Sequence, residues 1–233
     1  MARSNHQSQA ASRIRHQDFT RIVLRPIASG VPLGFFSFAI GMLMLGFSAV
    51  GIIPLNELKQ TGLILTLFVF PLELISTIFA FLARDSMSAA TLGLFTTSWL
   101  ATGVVDMTSE PGSTSIAVGV YFFGFAAAVC LIAIMAWVAK PFFTFLLGIA
   151  FARVLLSGIY EVGGSHGFYT ISGYFALALA AVAFYGGVAF TLEDAKQKPV
   201  LPLFRRGAAN EAFSGYEQQL ERLKAEPGIR QQL

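Results

Sequence analysis

Two residues in this chain carry charge where charge is expensive. Glu73 and Arg153 are each the single charged residue in a long apolar run, 61–82 and 141–160 respectively. An ionisable group in such a setting faces a cavity or a partner. Two chemistries follow from the pair. They can form a buried ion pair that fixes helix packing, since about 1.5 Å of rise per residue puts them only about 6 Å apart along the axis. Alternatively, one or both line a permeation path, with Glu73 taking up and releasing a proton. Hydroxyls form a second feature. Thr96, Thr97 and Ser98 are consecutive in the middle of another apolar run, where each bonds back to a carbonyl one turn earlier or lines a polar constriction. A third feature is the Ser29-Gly-Val-Pro-Leu-Gly34 stretch, whose Pro32, Leu33 and Gly34 open the first apolar run. Unpaired N–H groups at such a helix start bind anions; the plainer role of the stretch is capping.

Other chemistry is excluded. Residues 163–167 read G-x-S-x-G, but a nucleophile elbow needs a strand-to-helix turn and a separate His and acid. The other histidines, His6 and His16, lie in a polar tail, so the match is a glycine-rich turn. Three scattered histidines and the lone Cys130 give no metal-ligand spacing. A phosphate loop of the G-x-x-x-x-G-K-[ST] kind is missing as well. The sequence therefore predicts no catalytic residues, no metal and no cofactor.

The elements that must position these groups are six apolar stretches, 31–53, 61–82, 86–105, 112–139, 141–160 and 162–192. A helix needs about 20 apolar residues to cross a hydrocarbon core of about 30 Å, and each stretch supplies them. The composition agrees, with 55% hydrophobic and only 12% charged residues. The fold class predicted is all-α, a polytopic integral membrane protein with six transmembrane helices. Of the 16 Lys and Arg residues, all but Lys59 and Arg153 fall on one side of that membrane. Positive charge is retained on the cytoplasmic side, so both termini are expected there, as an even number of spans requires. The net charge of +3 is thus a topology signal, and no nucleic acid is expected as a partner.

The chain divides into an N-terminal tail, 1–28, a membrane domain, 29–195, and a C-terminal tail, 196–233. The first 25 or so residues, rich in Ser and Arg, also fit a mitochondrial transit peptide, against the plainer reading as a cytoplasmic tail in a cell (plasma or inner) membrane protein. In the C-terminal tail Phe213, Tyr216, Leu220 and Leu223 recur at helical spacing and suggest a short amphipathic helix. Connections between spans are short, at 54–60, 83–85, 106–111, Lys140 and Glu161. The fourth and sixth stretches are dense in Gly and Ala, which in lipid allow close helix packing within or between protomers.

These motifs resemble the acetate uptake transporter family, the family of succinate–acetate permeases, over most of 26–203. Its helix-one signature is N-P-A-P-L-G-L. Here Ser29-Gly-Val-Pro-Leu-Gly-Phe35 keeps Pro32, Leu33 and Gly34 and lacks the Asn. The F-T-S-Y-G-like run of helix three is similar to Phe95-Thr-Thr-Ser-Trp99, and its closing stretch to Phe184-Tyr-Gly186 and Val200-Leu-Pro202. The resemblance implies a hexamer with one narrow pore per protomer. It places a constriction at Phe38 in helix one, Ser98 in helix three where the family has Tyr, and Leu146 or Leu147 in helix five, with Thr97 beside it. Loss of the Tyr should widen and wet that gate. Glu73 and Arg153 are foreign to the pattern. The function expected is a membrane channel or transporter for small carboxylates of the acetate or succinate kind, in a lipid bilayer. The alternatives are a membrane sensor or scaffold with a vestigial pore, or a channel for another small solute.

Overall fold

The computed structural model describes residues 28–83, 85–138, 140–196 and 198–206. The N-terminal tail before residue 28 and the expected helix around Phe213–Leu223 lie outside the described residues. Six helices account for nearly all of the rest: α1 (Val31–Ala49), α2 (Leu55–Leu82), α3 (Ser86–Thr108), α4 (Ile116–Ala136), α5 (Pro141–Gly163) and α6 (His166–Lys196). Each is long and apolar enough to cross a membrane, and among the described residues there is no strand.

Local chemistry sets the ends. Pro32 and Pro141 sit in the first turns of α1 and α5, where a missing N–H costs nothing. Asp85 caps α3 by accepting the Ser88 N–H at 3.1 Å. Gly164 stops α5 with φ of 66°, a left-handed conformation that favours glycine, and its N–H closes onto the Tyr160 carbonyl at 2.7 Å. The G-x-S-x-G match is this turn.

Several helix ends differ from those of the apolar runs, two of them so as to move an acid. α3 continues through Asp106 to Thr108, and α5 continues through Glu161 to Gly163, so both acids stand on helices instead of loops. A further difference lies inside α2. Pro71 lacks the N–H that would pair with the Leu67 carbonyl, and its ring crowds that oxygen. The preceding turn, Leu65–Val69, opens into a π turn, and a regular helix resumes at Phe70.

The dominant packing partners place the helices in the cyclic order α1, α2, α3, α4, α5, α6 and back to α1. The α2–α3 and α1–α6 interfaces are the two most extensive and the α3–α4 seam is the sparsest. Glycines let backbones approach: a Cβ on Gly186 would fall 2.5 Å from the Phe35 ring, and one on Gly62 would fall 2.5 Å from the Gly103 carbonyl oxygen. Large apolar side chains such as Leu67, Phe81, Leu131 and Phe145 point outward, as lipid contact requires. Six passes return the chain to the end where it began. There the 198–206 segment folds back onto the bundle, burying Leu203 and accepting the Tyr185 hydroxyl on the Pro202 carbonyl at 2.9 Å.

Candidate functional site

The middle of the ring is filled by aromatic rings. Phe38 of α1 meets Phe95 of α3 edge-on at 5.0 Å and Trp99 of α3 at 5.6 Å; Phe95 in turn meets Phe125 of α4 at 5.1 Å. All four are buried, and Leu147 of α5 joins the same core with no exposed surface. Edge-to-face rings of this kind hold one another in fixed orientation.

Glu73 sits beside this cluster with none of its surface exposed. One carboxylate oxygen, Oε2, accepts the Trp99 indole N–H, and the other, Oε1, is buried without a partner. Thr77, one turn on, donates to the Glu73 carbonyl at 2.8 Å and meets the Thr96 hydroxyl at 3.0 Å. A polar line therefore runs down the α2–α3 interface next to the aromatic plug.

The second charge lies elsewhere. Arg153 is buried, and its electrostatic neighbours are Tyr169, Asp106 and Tyr121, all toward the end of the bundle far from the termini. The expected pairing of Glu73 with Arg153 is thus corrected. Trp99 is the partner of Glu73, and no ion pair among the described residues includes either charge. The far end also holds a cavity of about 280 Å³ lined by Asp106, Glu161, Tyr160 and Tyr169 among others. A neighbouring one of about 260 Å³ opens at the sparse α3–α4 seam beside Asp106, Tyr121 and Glu161. Glu161 is tied to the rim, where its Oε2 accepts the Ser115 N–H at 2.8 Å.

Of the constriction residues, Phe38, Ser98 and Leu147 are inside the bundle. Thr97 is not. It points outward, and its hydroxyl returns to the Leu94 carbonyl at 3.1 Å, leaving Thr96 as the inward hydroxyl. The expected widening at Ser98 is also corrected, because Trp99 one residue further on supplies a buried ring against Phe38. Pro32 starts α1, Leu33 is partly exposed, and Gly34 is pressed to α2, where a Cβ would fall 2.5 Å from Ser76 Oγ. Ser76 itself donates to the Gly30 carbonyl at 2.6 Å. This motif packs α1 onto α2. Sequence reasoning missed Trp99, Thr77, Asp106, Tyr121 and Tyr169; the one signal available was that Asp106 directly follows an uncharged run.

A solved structure has this fold. The bacterial acetate channel SatP matches the chain with a TM-score of 0.67 at 16% identity, covering 76% of this chain and 99% of that one. The fold is SatP-like. No family model matches the sequence, nor does any curated protein. The likeness to SatP thus lies in the path of the backbone.

Proposed function

We propose that this protein is a multi-pass membrane channel for small carboxylates, not an enzyme. The observation that carries the reading is the SatP-like fold, which matches nearly the whole of an acetate channel. A carboxylic acid of pKa about 4 is almost wholly ionised at neutral pH and crosses hydrocarbon poorly. A ring of six helices with polar groups beside a narrow centre replaces water along such a path. Phe38, Ser98 and Leu147 form the constriction in this reading, now with Phe95 and Trp99. Acetate and succinate are the substrates put forward, and a homo-hexamer in the cell membrane is the assembly, with both termini cytoplasmic on the strength of the Lys and Arg distribution.

Uptake of labelled acetate, succinate and formate into proteoliposomes at two pH values tests the reading. Saturable uptake of one or more above empty vesicles is the expected result. No uptake of any of them would leave the dry aromatic middle as a plug and favour the sensor or scaffold.

Glu73 bears on coupling. Glu73→Gln keeps an acceptor for the Trp99 indole and removes the titrating group. A proton-coupled carrier using Glu73 loses the steep part of its pH dependence in this variant. Identical pH profiles for the two proteins rule out coupling through Glu73, leaving an uncoupled channel or a carrier coupled elsewhere.

A further inference from the structure

A second layer of rings crosses the bundle at the end that carries the termini. Phe35 of α1 meets Phe143 of α5 edge-on at 5.5 Å and Phe190 of α6 at 5.1 Å, and Phe143 lies 6.1 Å from Phe190. Phe35 and Phe143 are buried, and α6 stands between α1 and α5 in the ring, so their contact runs through the interior. Phe35 precedes Phe38 by nearly one turn, which sets this layer about 5 Å nearer the termini than the middle plug.

The chain beyond α6 is fastened to this layer. Arg205 lies over the Phe190 ring at 5.5 Å and pairs with Glu193 at 2.6 Å, the two side chains being only 17% and 11% exposed. A pair so shielded is screened less than one at the surface. Leu203 is buried in the same core, and Arg206 lies over Trp137, just past α4, at 5.0 Å. Between these anchors Phe204 has a φ of 51°, a left-handed conformation that is an outlier for a bulky residue, and its ring is exposed. Such strain persists only where the surrounding contacts hold it.

We infer that Phe35, Phe143 and Phe190 form a second gate on the permeation path, with residues 198–206 as its latch. This rests on the channel reading and adds a closure nearer the termini. Phe190, half-buried where the other two rings are buried, is the ring that moves. Arg205 and Glu193 are positioning residues that act through it. Releasing the segment removes the cation from the face of Phe190, frees the Leu203 side chain from the core and relaxes Phe204.

The test reads access and flux separately in the full-length protein. In a Cys130→Ser background, Leu146→Cys puts a thiol on α5 about one turn inside the terminal layer, at a buried position. Its modification by a small methanethiosulfonate in detergent is expected to be slow, and about tenfold faster once Arg205→Gln is added. Arg205→Lys restores part of the slow rate. Glu193→Gln, which leaves the cation over Phe190, gives a smaller rise and serves if Arg205→Gln fails to fold. Val154→Cys, also buried and two turns further in, stays unreactive throughout. With Cys130 and Leu146 native, Arg205→Gln is expected to raise acetate uptake into proteoliposomes severalfold. A modification rate unmoved by the latch variants overturns the gate, as does equal acceleration at Leu146→Cys and Val154→Cys, which marks general loosening. Faster modification with acetate uptake present but unchanged overturns it too, since the layer then does not limit passage. Faster modification at Leu146→Cys alone, without acetate uptake by any of the proteins, upholds the gate and sinks the carboxylate reading.

Discussion

At the scale of single residues, the pair that decides most is Glu73 with Trp99. The indole N–H is the one hydrogen-bond donor on the buried carboxylate among the described residues. Trp99→Phe keeps the ring against Phe38 and removes that donor, so thermal unfolding in detergent should show a loss of about 1–3 kcal/mol. Adding Glu73→Gln should recover part of it, since a neutral amide tolerates an unpartnered site better than a carboxylate does. Strictly additive losses would mean that the two side chains act independently. Phe38→Ala removes the ring shared by Phe95 and Trp99 and should raise flux and relax size selectivity in the uptake assay. Unchanged flux in a well-expressed variant rules Phe38 out as the gate. The sequence named Phe38 and Glu73 but not Trp99, because a partner 26 positions away in another helix becomes visible only once α2 and α3 are packed. It chose Thr97 over Thr96 for a related reason. In a soluble helix, polarity separates the outside from the inside, whereas here both faces are apolar and the period carries no direction.

Among elements, the contacts that set their spacing can be broken one at a time. Gly62 and Gly103 bring α2 and α3 together, and the obstacle to a side chain at Gly62 is a backbone carbonyl that cannot swing aside. Gly62→Ala should therefore cost about 1–3 kcal/mol, read as a lower thermal midpoint. At the terminal end, Lys140 reaches from the start of α5 to Asp85 at 2.6 Å, with Ser88 donating to the same carboxylate at 2.8 Å. Burial works to raise the Asp85 pKa, but the Lys140 ammonium and the two Ser88 hydrogen bonds outweigh it and hold the carboxyl below its ordinary value. The contribution of the pair is thus present above the usual aspartate range and is lost as pH falls through the lowered value. Asp85→Asn should flatten that acid limb of the stability profile. The partners are about a third and a fifth exposed, so Lys140→Met should cost under about 1 kcal/mol. Asp85→Ala, which also loses the cap, should cost about 1–2 kcal/mol. The six spans were legible because apolar runs of this length have one reading. Their ends were less so: charge closed the third run at Asp106 in the sequence, while the helix itself turns three residues further and carries that acid into the interior rim. The π turn had Pro71 as its single cue.

For the whole molecule, the cyclic arrangement has a consequence for how the protein is made. The main partner of the first helix is the last, where Gly186 and Gly187 of α6 lie against Phe35 and Phe36 of α1, and Gly173 lies against Ala49. Helices leave the ribosome in order, so α1 must wait in the bilayer through the synthesis of five more spans before its main partner exists. During that interval its tightly fitted face meets lipid or a chaperone, and the nascent bundle is an open arc with α2 and α3 paired at one end and α4 and α5 at the other. The final span is therefore the closing stave of the barrel. Premature termination anywhere before α6 should leave an assembly that quality control removes, however many spans it already contains.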